Sequence, residues 1–79
     1  MMVNIKYFGL IAEITNCGSE SIVINKDSTL ADVNKILNKK YEKLNTVSYR
    51  IAMGNSLCEN DQAILENEEI ALLPPFAGG

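Results

Sequence analysis

The chain has no histidine and no tryptophan among its 79 residues, and it contains only two cysteines and two prolines. Without histidine, it lacks the side chain that most often acts as a general base and as a metal ligand. Cys17 and Cys58 are far apart and match neither a metal-binding nor a redox spacing, so we expect two reduced thiols. The composition therefore predicts no metal site, no bound cofactor and no catalytic pair of the Ser-His or Cys-His type.

Long apolar runs are also missing. No run reaches the roughly 18 apolar residues of a membrane span, and the first residues lack the apolar core of a signal peptide. We therefore expect a cytoplasmic protein without a membrane partner. The formal net charge of −3 argues against nucleic acid as a partner, because phosphate binding needs a basic surface. The length predicts one domain over residues 1–79, with residues 74–79 as an extended C-terminal tail.

The first part of the chain has the pattern of a strand pair. The alternation of apolar residues that starts at Val3 predicts a strand, and its apolar set continues through residues 10–14. Residues 15–18 have the composition of a turn. Residues 21–25 are rich in β-branched residues and predict the second strand of a hairpin.

A helix follows the strand pair. Thr29 and Asp32 have the spacing of a capping box, in which each side chain accepts a hydrogen bond from the backbone of the other. The apolar residues after this box recur at helical spacing and predict one buried stripe: Leu30, Val33, Ile36, Leu37 and Tyr41.

The second half of the chain returns to strands. Residues 47–53 predict a third strand, residues 54–56 a turn, and residues 65–68 a second turn in which Asn67 is able to adopt a left-handed conformation. The nearly continuous apolar character of residues 69–73 predicts a central strand with a helix over one face. Three apolar residues are either core residues or an exposed patch on the uncovered face: Phe8, Leu10 and Leu73.

The chain ends in a stiff and slender segment. Pro74 and Pro75 fix φ and carry no N–H, so they end the preceding strand, while Gly78 and Gly79 have no Cβ to block a narrow channel. The extended reach of the last six residues is roughly 20 Å. We predict that the Gly79 carboxylate enters the active site of another protein. Alternatives are a disordered end, and a Phe76 that packs on its own sheet instead of anchoring the tail to a partner.

The order of the predicted elements, with the Gly-Gly ending, is that of the ubiquitin-like β-grasp plan. We expect an α+β fold with a mixed sheet of four to five strands, one main helix packed on one face and an extended C-terminal Gly-Gly tail. Residues 72–79 resemble the tail of the small, sulfur-carrying subunit of molybdopterin synthase. Residues 5–13, 28–33 and 65–70 are similar to that family's first strand, helix start and final turn.

This resemblance implies a sulfur carrier whose catalytic residues lie on its partners. In the family, an E1-like adenylating enzyme uses ATP to adenylate the terminal glycine, here Gly79. A persulfide sulfur donor displaces AMP and leaves a thiocarboxylate, which donates sulfur to cyclic pyranopterin monophosphate in the active site of the large synthase subunit. Two sulfurs are needed, which implies a heterotetramer with two carriers. The residues expected to contact partners are Gly78, Ala77, Phe76, Pro75, Pro74, Leu73 and Phe8.

Two other functions are compatible with the same ending. One is a sulfur carrier for another pathway, such as thiazole or cysteine synthesis, although thiazole-type carriers usually lack a Pro-Pro-Phe approach to Gly-Gly. The other is a ubiquitin-like protein modifier or a non-covalent β-grasp module. The chain also departs from the synthase family at Ala12, where arginine is common, and at Gly54, where asparagine is common. Neither position lies in the tail.

Overall fold

The computed structural model describes residues 1–54, 56–59, 61–64 and 68–74. In this part of the chain, five strands form one sheet and one long helix packs on it, as the sequence predicts. The elements in chain order are β1 (Met2–Tyr7), α1 (Leu10–Thr15), β2 (Ser19–Val23), α2 (Leu30–Lys40), a 3₁₀ helix (Glu42–Thr46), β3 (Arg50–Met53), β4 (Ser56–Leu57) and β5 (Glu69–Leu73).

The sheet is mixed, and its strand order is β2-β1-β5-β3-β4. β1 and β5 run parallel, with Ile5 opposite Ile70, and the other neighbouring strands are antiparallel. The predicted central position of the last strand is therefore confirmed. Because β5 lies between β1 and β3, the end of β5 brings the chain out in the middle of the sheet.

The core lies between the sheet and α2. Ile5 and Ile70 point toward the helix and have no exposed surface, and Leu30, Val33 and Leu37 of α2 meet them from above. Side chains alternate between the two faces of a strand, so the residues between these buried positions lie on the opposite face. That second face carries polar and small residues, an ion pair between Lys6 and Glu69 at 3.5 Å, and the exposed apolar pair Met2 and Val23.

The predicted start of α2 is confirmed. The Thr29 N–H donates to Asp32 Oδ2 at 2.9 Å, and both halves of the capping box are formed. The predicted stripe is correct for Leu30, Val33 and Leu37 but wrong for Ile36, which is 39% exposed. Each residue advances about 100° around a helix. Ile36 therefore lies about 100° away from Leu37 around the helix, to one side of the buried stripe.

Three boundaries differ from the prediction. Residues 10–15 form the short helix α1 and do not continue the strand, because Gly9 turns the chain with φ of 55° and ψ of −132°. β2 begins at Ser19, earlier than the predicted 21–25. β3 is shorter than the predicted 47–53: it begins at Arg50, opposite Leu73, because β5 ends before a proline that has no N–H for pairing.

The 3₁₀ helix over Glu42–Thr46 has no counterpart in the prediction, although it contributes the buried Leu44 to the core. The predicted left-handed Asn67 lies outside the described residues, and so does Asn55 of the predicted turn. Gly54 itself has φ of 59°, which fits its place at the start of that turn.

Candidate functional site

The point where the chain leaves the sheet is held from both sides. The Phe8 N–H donates to the Leu72 carbonyl at 3.3 Å, which extends the β1–β5 pairing beyond the strand itself. On the other side, Arg50 of β3 is paired with Leu73. Pro74 follows as a half-buried residue. The base of the tail is therefore fixed to two neighbouring strands up to Pro74.

Gly9 lies directly against this base. A Cβ at Gly9 would be 3.1 Å from Cγ of the Pro74 ring, closer than ordinary van der Waals contact. The same residue ends the extended chain of β1 and starts α1, where the Ile11 N–H donates to the Phe8 carbonyl at 3.1 Å. Gly9 thus joins the corner between β1 and α1 to the exit of the tail.

Apolar side chains surround the exit. Phe8 is 44% exposed and Leu10 is 50% exposed, whereas Leu73 and Pro74 are half-buried. We call these four residues the root surface. Of the two interpretations that the sequence left open, the core interpretation is wrong for Phe8 and Leu10, since both are exposed. Phe8 directly follows β1, whereas Leu10 begins helix α1 and is not part of the sheet. Apolar surface of this kind beside a chain exit is typical of a protein-binding site.

A positive charge borders the root surface. Arg50 is the only arginine of the chain, and it lies on the open face because its neighbour Ile51 is buried. Lys6 on the same face is already paired with Glu69. Within the described ranges Arg50 makes no ion pair.

A second polar cluster lies on the helix-covered side, centred on Glu20. The hydroxyl of Tyr7 donates to Glu20 Oε2 at 2.7 Å and that of Tyr41 donates to the same oxygen at 2.5 Å. Lys40 Nζ lies 2.6 Å from Oε1. The two tyrosine rings are edge to face, with centroids 6.2 Å apart. The cluster connects the C-terminal end of α2 to β1 and β2.

The pKa values in this cluster move away from neutrality. Burial acts to raise the pKa of Glu20, but hydrogen bonds from Lys40, Tyr41 and Tyr7 outweigh it and the net shift is downward. Burial and then Glu20 raise the pKa of Tyr41 to about 12, and the same causes raise the pKa of Tyr7. Hydrogen bonding to Glu20 raises the pKa of Lys40. A general acid or base needs a pKa near the working pH. These shifts instead fit a cluster that stabilises the packing of α2 on the sheet.

In the part of the chain that the structure describes, no three residues among histidine, cysteine, aspartate and glutamate are placed to hold a metal ion. Cys17 and Cys58 are half-buried and do not form a disulfide with each other, and Cys17 Sγ lies 3.9 Å from Glu20 Oε2. Among the helices that the structure describes, none has the length and apolar character to cross a membrane.

Of the residues that the sequence predicts for partner binding, Phe8, Leu73 and Pro74 come together at the root surface. The others lie outside the described residues: Pro75, Phe76, Ala77, Gly78 and Gly79.

Three residues with clear roles were not predicted. Gly9 and Arg50 meet the tail base only through the β1–β5 and β3–β5 pairing, which links distant parts of the sequence. Glu20 could have been singled out if the pairing of the hairpin had been extended one residue beyond the predicted strand. It then takes the inward position opposite Ile5, where an acidic residue needs a hydrogen-bond partner.

The arrangement defines a ubiquitin-like β-grasp protein, and comparisons with solved structures agree. SAMP1 from Haloferax volcanii superposes with a TM-score of 0.85 at 19% identity over 100% of both chains. A putative molybdopterin converting factor subunit 1 from Pyrococcus furiosus gives a TM-score of 0.89 at 17% identity, over 96% of this chain and 99% of that chain.

The sequence profile of the ThiS family matches residues 5–79, so the chain belongs to the ThiS family. A chain of the complex of subunits 1 and 2 of molybdopterin-converting factor from Helicobacter pylori 26695 is 30% identical, with a TM-score of 0.72 over 100% of both chains. The protein is therefore a ubiquitin-like protein of the sulfur-carrier type.

Proposed function

We propose that this protein is the sulfur-carrier subunit of a molybdopterin synthase and that Gly79 carries the sulfur. One observation carries the proposal: the central strand β5 leads the chain out at Pro74, on an exposed apolar surface, directly before the sequence Pro-Phe-Ala-Gly-Gly. The 30% identity to a chain of the Helicobacter pylori complex supports the pathway. Residues 1–79 then act as one cytoplasmic domain, with residues 74–79 as its tail.

The proposed chemistry begins at the terminal carboxylate. With an intrinsic pKa of about 3.3–3.7, it is an anion at neutral pH and a poor electrophile. An E1-like adenylating enzyme activates it with ATP, and the outer sulfur of a persulfide sulfur donor displaces AMP to form an acyl disulfide. A second thiol then attacks the donor's sulfur in that S–S bond, which releases a thiocarboxylate on Gly79 and leaves a disulfide on the donor side. The thiocarboxylate then attacks cyclic pyranopterin monophosphate in the large subunit. In this scheme the carrier supplies reach and recognition, and its partners supply the catalytic groups.

The root surface is the proposed contact with the large subunit. Exposed Phe8 and Leu10 give it apolar area, and Arg50 gives it a charge at the rim. Phe76 adds an aromatic anchor further along the tail. Since each carrier has one terminal carboxylate and the product needs two sulfurs, we propose a heterotetramer with two carriers and two large subunits.

A second candidate is a protein modifier. The similarity to SAMP1 favours it, because that protein is also described as Haloferax volcanii small archaeal modifier protein 1. A modifier would join its terminal glycine to lysines of other proteins. A carrier that serves thiazole or cysteine synthesis is also compatible with the family. The Pro-Pro-Phe approach to Gly-Gly favours the synthase role over the thiazole role.

Intact-mass measurement of protein purified from its native host tests the proposal first. We expect a species heavier by the exchange of one oxygen for sulfur, located by fragmentation at Gly79. In a reconstituted assay with the adenylating enzyme, sulfur donor and large subunit, deletion of Gly79 should abolish sulfur transfer without changing the melting temperature.

Each alternative gives a different result. A truncated carrier that still supports sulfur transfer contradicts the proposal. Remnants of Ala77-Gly78-Gly79 on lysines of other proteins would identify a modifier. Thiocarboxylate that forms on Gly79 but is not consumed by the large subunit with the pterin would assign the carrier to another pathway.

A further inference from the structure

We infer that Gly9 is a positioning residue for the C-terminal tail, because it sets the place and direction in which the chain leaves the domain at Pro74. The inference rests on the proposed carrier function, in which the tail must enter a partner's channel. It concerns a residue 70 positions away from Gly79 in the sequence, on the corner between β1 and α1.

Two properties of Gly9 make it sensitive to substitution. Its φ of 55° and ψ of −132° lie in a region that residues with a Cβ rarely adopt. A Cβ there would also lie 3.1 Å from Cγ of Pro74, and 3.9 and 4.0 Å from its Cδ and Cβ. Within the proline ring only the pucker at Cγ can change, and this change does not relieve the backbone strain at Gly9. We therefore expect an alanine at position 9 to displace the backbone at this contact between Gly9 and Pro74.

The residues that precede Pro74 are held in place by hydrogen bonds within the sheet. Leu72 is bonded to Phe8 through its carbonyl, and Leu73 is paired with Arg50 on β3. We therefore expect the displacement to change the direction in which the chain leaves at Pro74. Five residues follow Pro74 in the sequence, and an extended segment of that length reaches roughly 17 Å, so a small change of direction at its base would move its end by several ångströms. The tail must then be realigned on entry, which costs binding energy.

Gly54 offers a matched control at the other end of the sheet. Its φ of 59° also lies in the range that residues with a Cβ rarely adopt, and a Cβ would lie 2.8 Å from Oε2 of Glu68. That contact is with the end of a flexible side chain. Gly54 follows Met53, which pairs with Ile70, whereas Pro74 follows Leu73 at the opposite end of β5. Gly18 is a control without strain, since a Cβ there meets nothing within 4 Å.

The test uses carriers loaded as thiocarboxylates and titrated against the large subunit with its pterin substrate. We expect Gly9→Ala to raise the KM for the carrier about tenfold with kcat changed less than about twofold, because the reacting group is unaltered once the tail is seated. Gly54→Ala and Gly18→Ala should keep the KM of the unmodified protein. Pro74→Ala removes Cγ and Cδ of the ring. In the Gly9→Ala background it should therefore lower the raised KM part of the way back to the value of the unmodified protein.

If Gly9→Ala fails to fold, Pro74→Ala alone serves as the second variant. We expect Pro74→Ala to raise the KM about threefold. The inference is overturned if Gly9→Ala or, in that case, Pro74→Ala leaves the KM unchanged. It is also overturned if Gly54→Ala raises the KM as much as Gly9→Ala does, because loss of stability would then be the cause.

A readout without sulfur chemistry separates this inference from the proposed function. In NMR spectra of the full chain we expect nuclear Overhauser contacts between the α protons of Gly9 and the ring of Pro74. Gly9→Ala should shift the tail resonances, and Gly54→Ala should not. If the unmodified protein transfers no sulfur, the proposed function fails, and these spectra still decide the role of Gly9: unchanged tail resonances in Gly9→Ala refute it.

Discussion

The two faces of the sheet differ in what covers them. Beneath α2, the inward side chains are apolar and fully buried, as at Ile5 and Ile70, and the one acidic residue, Glu20, is fully hydrogen-bonded. On the opposite face, charged residues such as Arg50 and Lys6 lie among small residues and exposed apolar ones such as Val23, and the described helices leave this face uncovered. The free energy of folding is therefore concentrated on one face, and the surface available to a partner lies on the other.

The tail base belongs to both faces. Leu72 is a core residue, Leu73 lies on the open face, and Pro74 lies against Gly9. This arrangement lets a well-packed strand present an exposed end without loosening its own packing. Substitutions on the covered face should consequently change stability, and substitutions at the root surface should change binding.

The largest effect is expected in the core. Leu37→Ala should lower the free energy of unfolding by about 2–5 kcal/mol, because it opens a cavity beneath α2. Ile36→Ala, at the neighbouring exposed position, should cost less than about 1 kcal/mol. Urea denaturation measures both. Sulfur transfer per folded molecule should stay unchanged in each variant, and similar stability losses at the two positions would contradict the assignment of the core.

The Glu20 cluster should give an intermediate effect. Glu20→Ala removes the acceptor of two tyrosine hydroxyls and should cost about 1–3 kcal/mol. Glu20→Gln keeps an oxygen acceptor, so we expect it to retain most of the stability at neutral pH. Unfolding experiments on both variants provide the comparison.

The same cluster predicts how stability depends on pH. The pKa of Glu20 is lowered from 4.5, so its contribution is present above pH 4.5 and is lost as the pH falls through the lowered value. The pKa of Tyr41 is raised from 10.0 to about 12, so its contribution is complete below pH 10 and is lost as the pH rises through about 12. In Glu20→Gln the acid-side decline should be smaller. An unchanged decline would show that Glu20 is not its source.

The smallest change in stability is expected for Phe8→Ala at the root surface, where the substitution should affect binding instead. Phe8→Ala should weaken binding to the large subunit by about 1–2 kcal/mol and change the stability of the free chain by less than about 0.5 kcal/mol. Val23→Ala, an exposed apolar position on the edge strand β2, is the control and should leave binding unchanged. Calorimetric titration measures these affinities. Equal losses at the two positions would mean that the interface is not at the root surface.

Strong local signals made much of the fold predictable from the sequence. Alternation at Val3 located β1, the capping box at Thr29 located α2, and a continuous apolar run before Pro74 located the central strand. Helix α1 was missed because residues 10–15 have an apolar pattern too short to distinguish a strand from a helix. The 3₁₀ helix was missed for a similar reason, since five residues carry no clear period.

The same division applies to the site. Leu73 and Pro74 belong to the consecutive residues that resemble the family's tail, and Phe8 to the segment that resembles its first strand, so all three were predicted from the sequence as partner contacts. Gly9 and Arg50 acquire their roles from neighbours that are distant in the chain. The pairing of β1 and β3 with β5 is what brings them to the exit.

By itself, the sequence determined the type of fold, the central strand and the character of the ending, because each depends on the order of neighbouring residues. Only the tertiary structure decided which residues hold that ending in place. Contacts such as that between Gly9 and Pro74 form when strands far apart in the chain become neighbours, and no local period encodes them. The point at which the chain leaves the sheet, at Pro74, is therefore a property of the folded sheet.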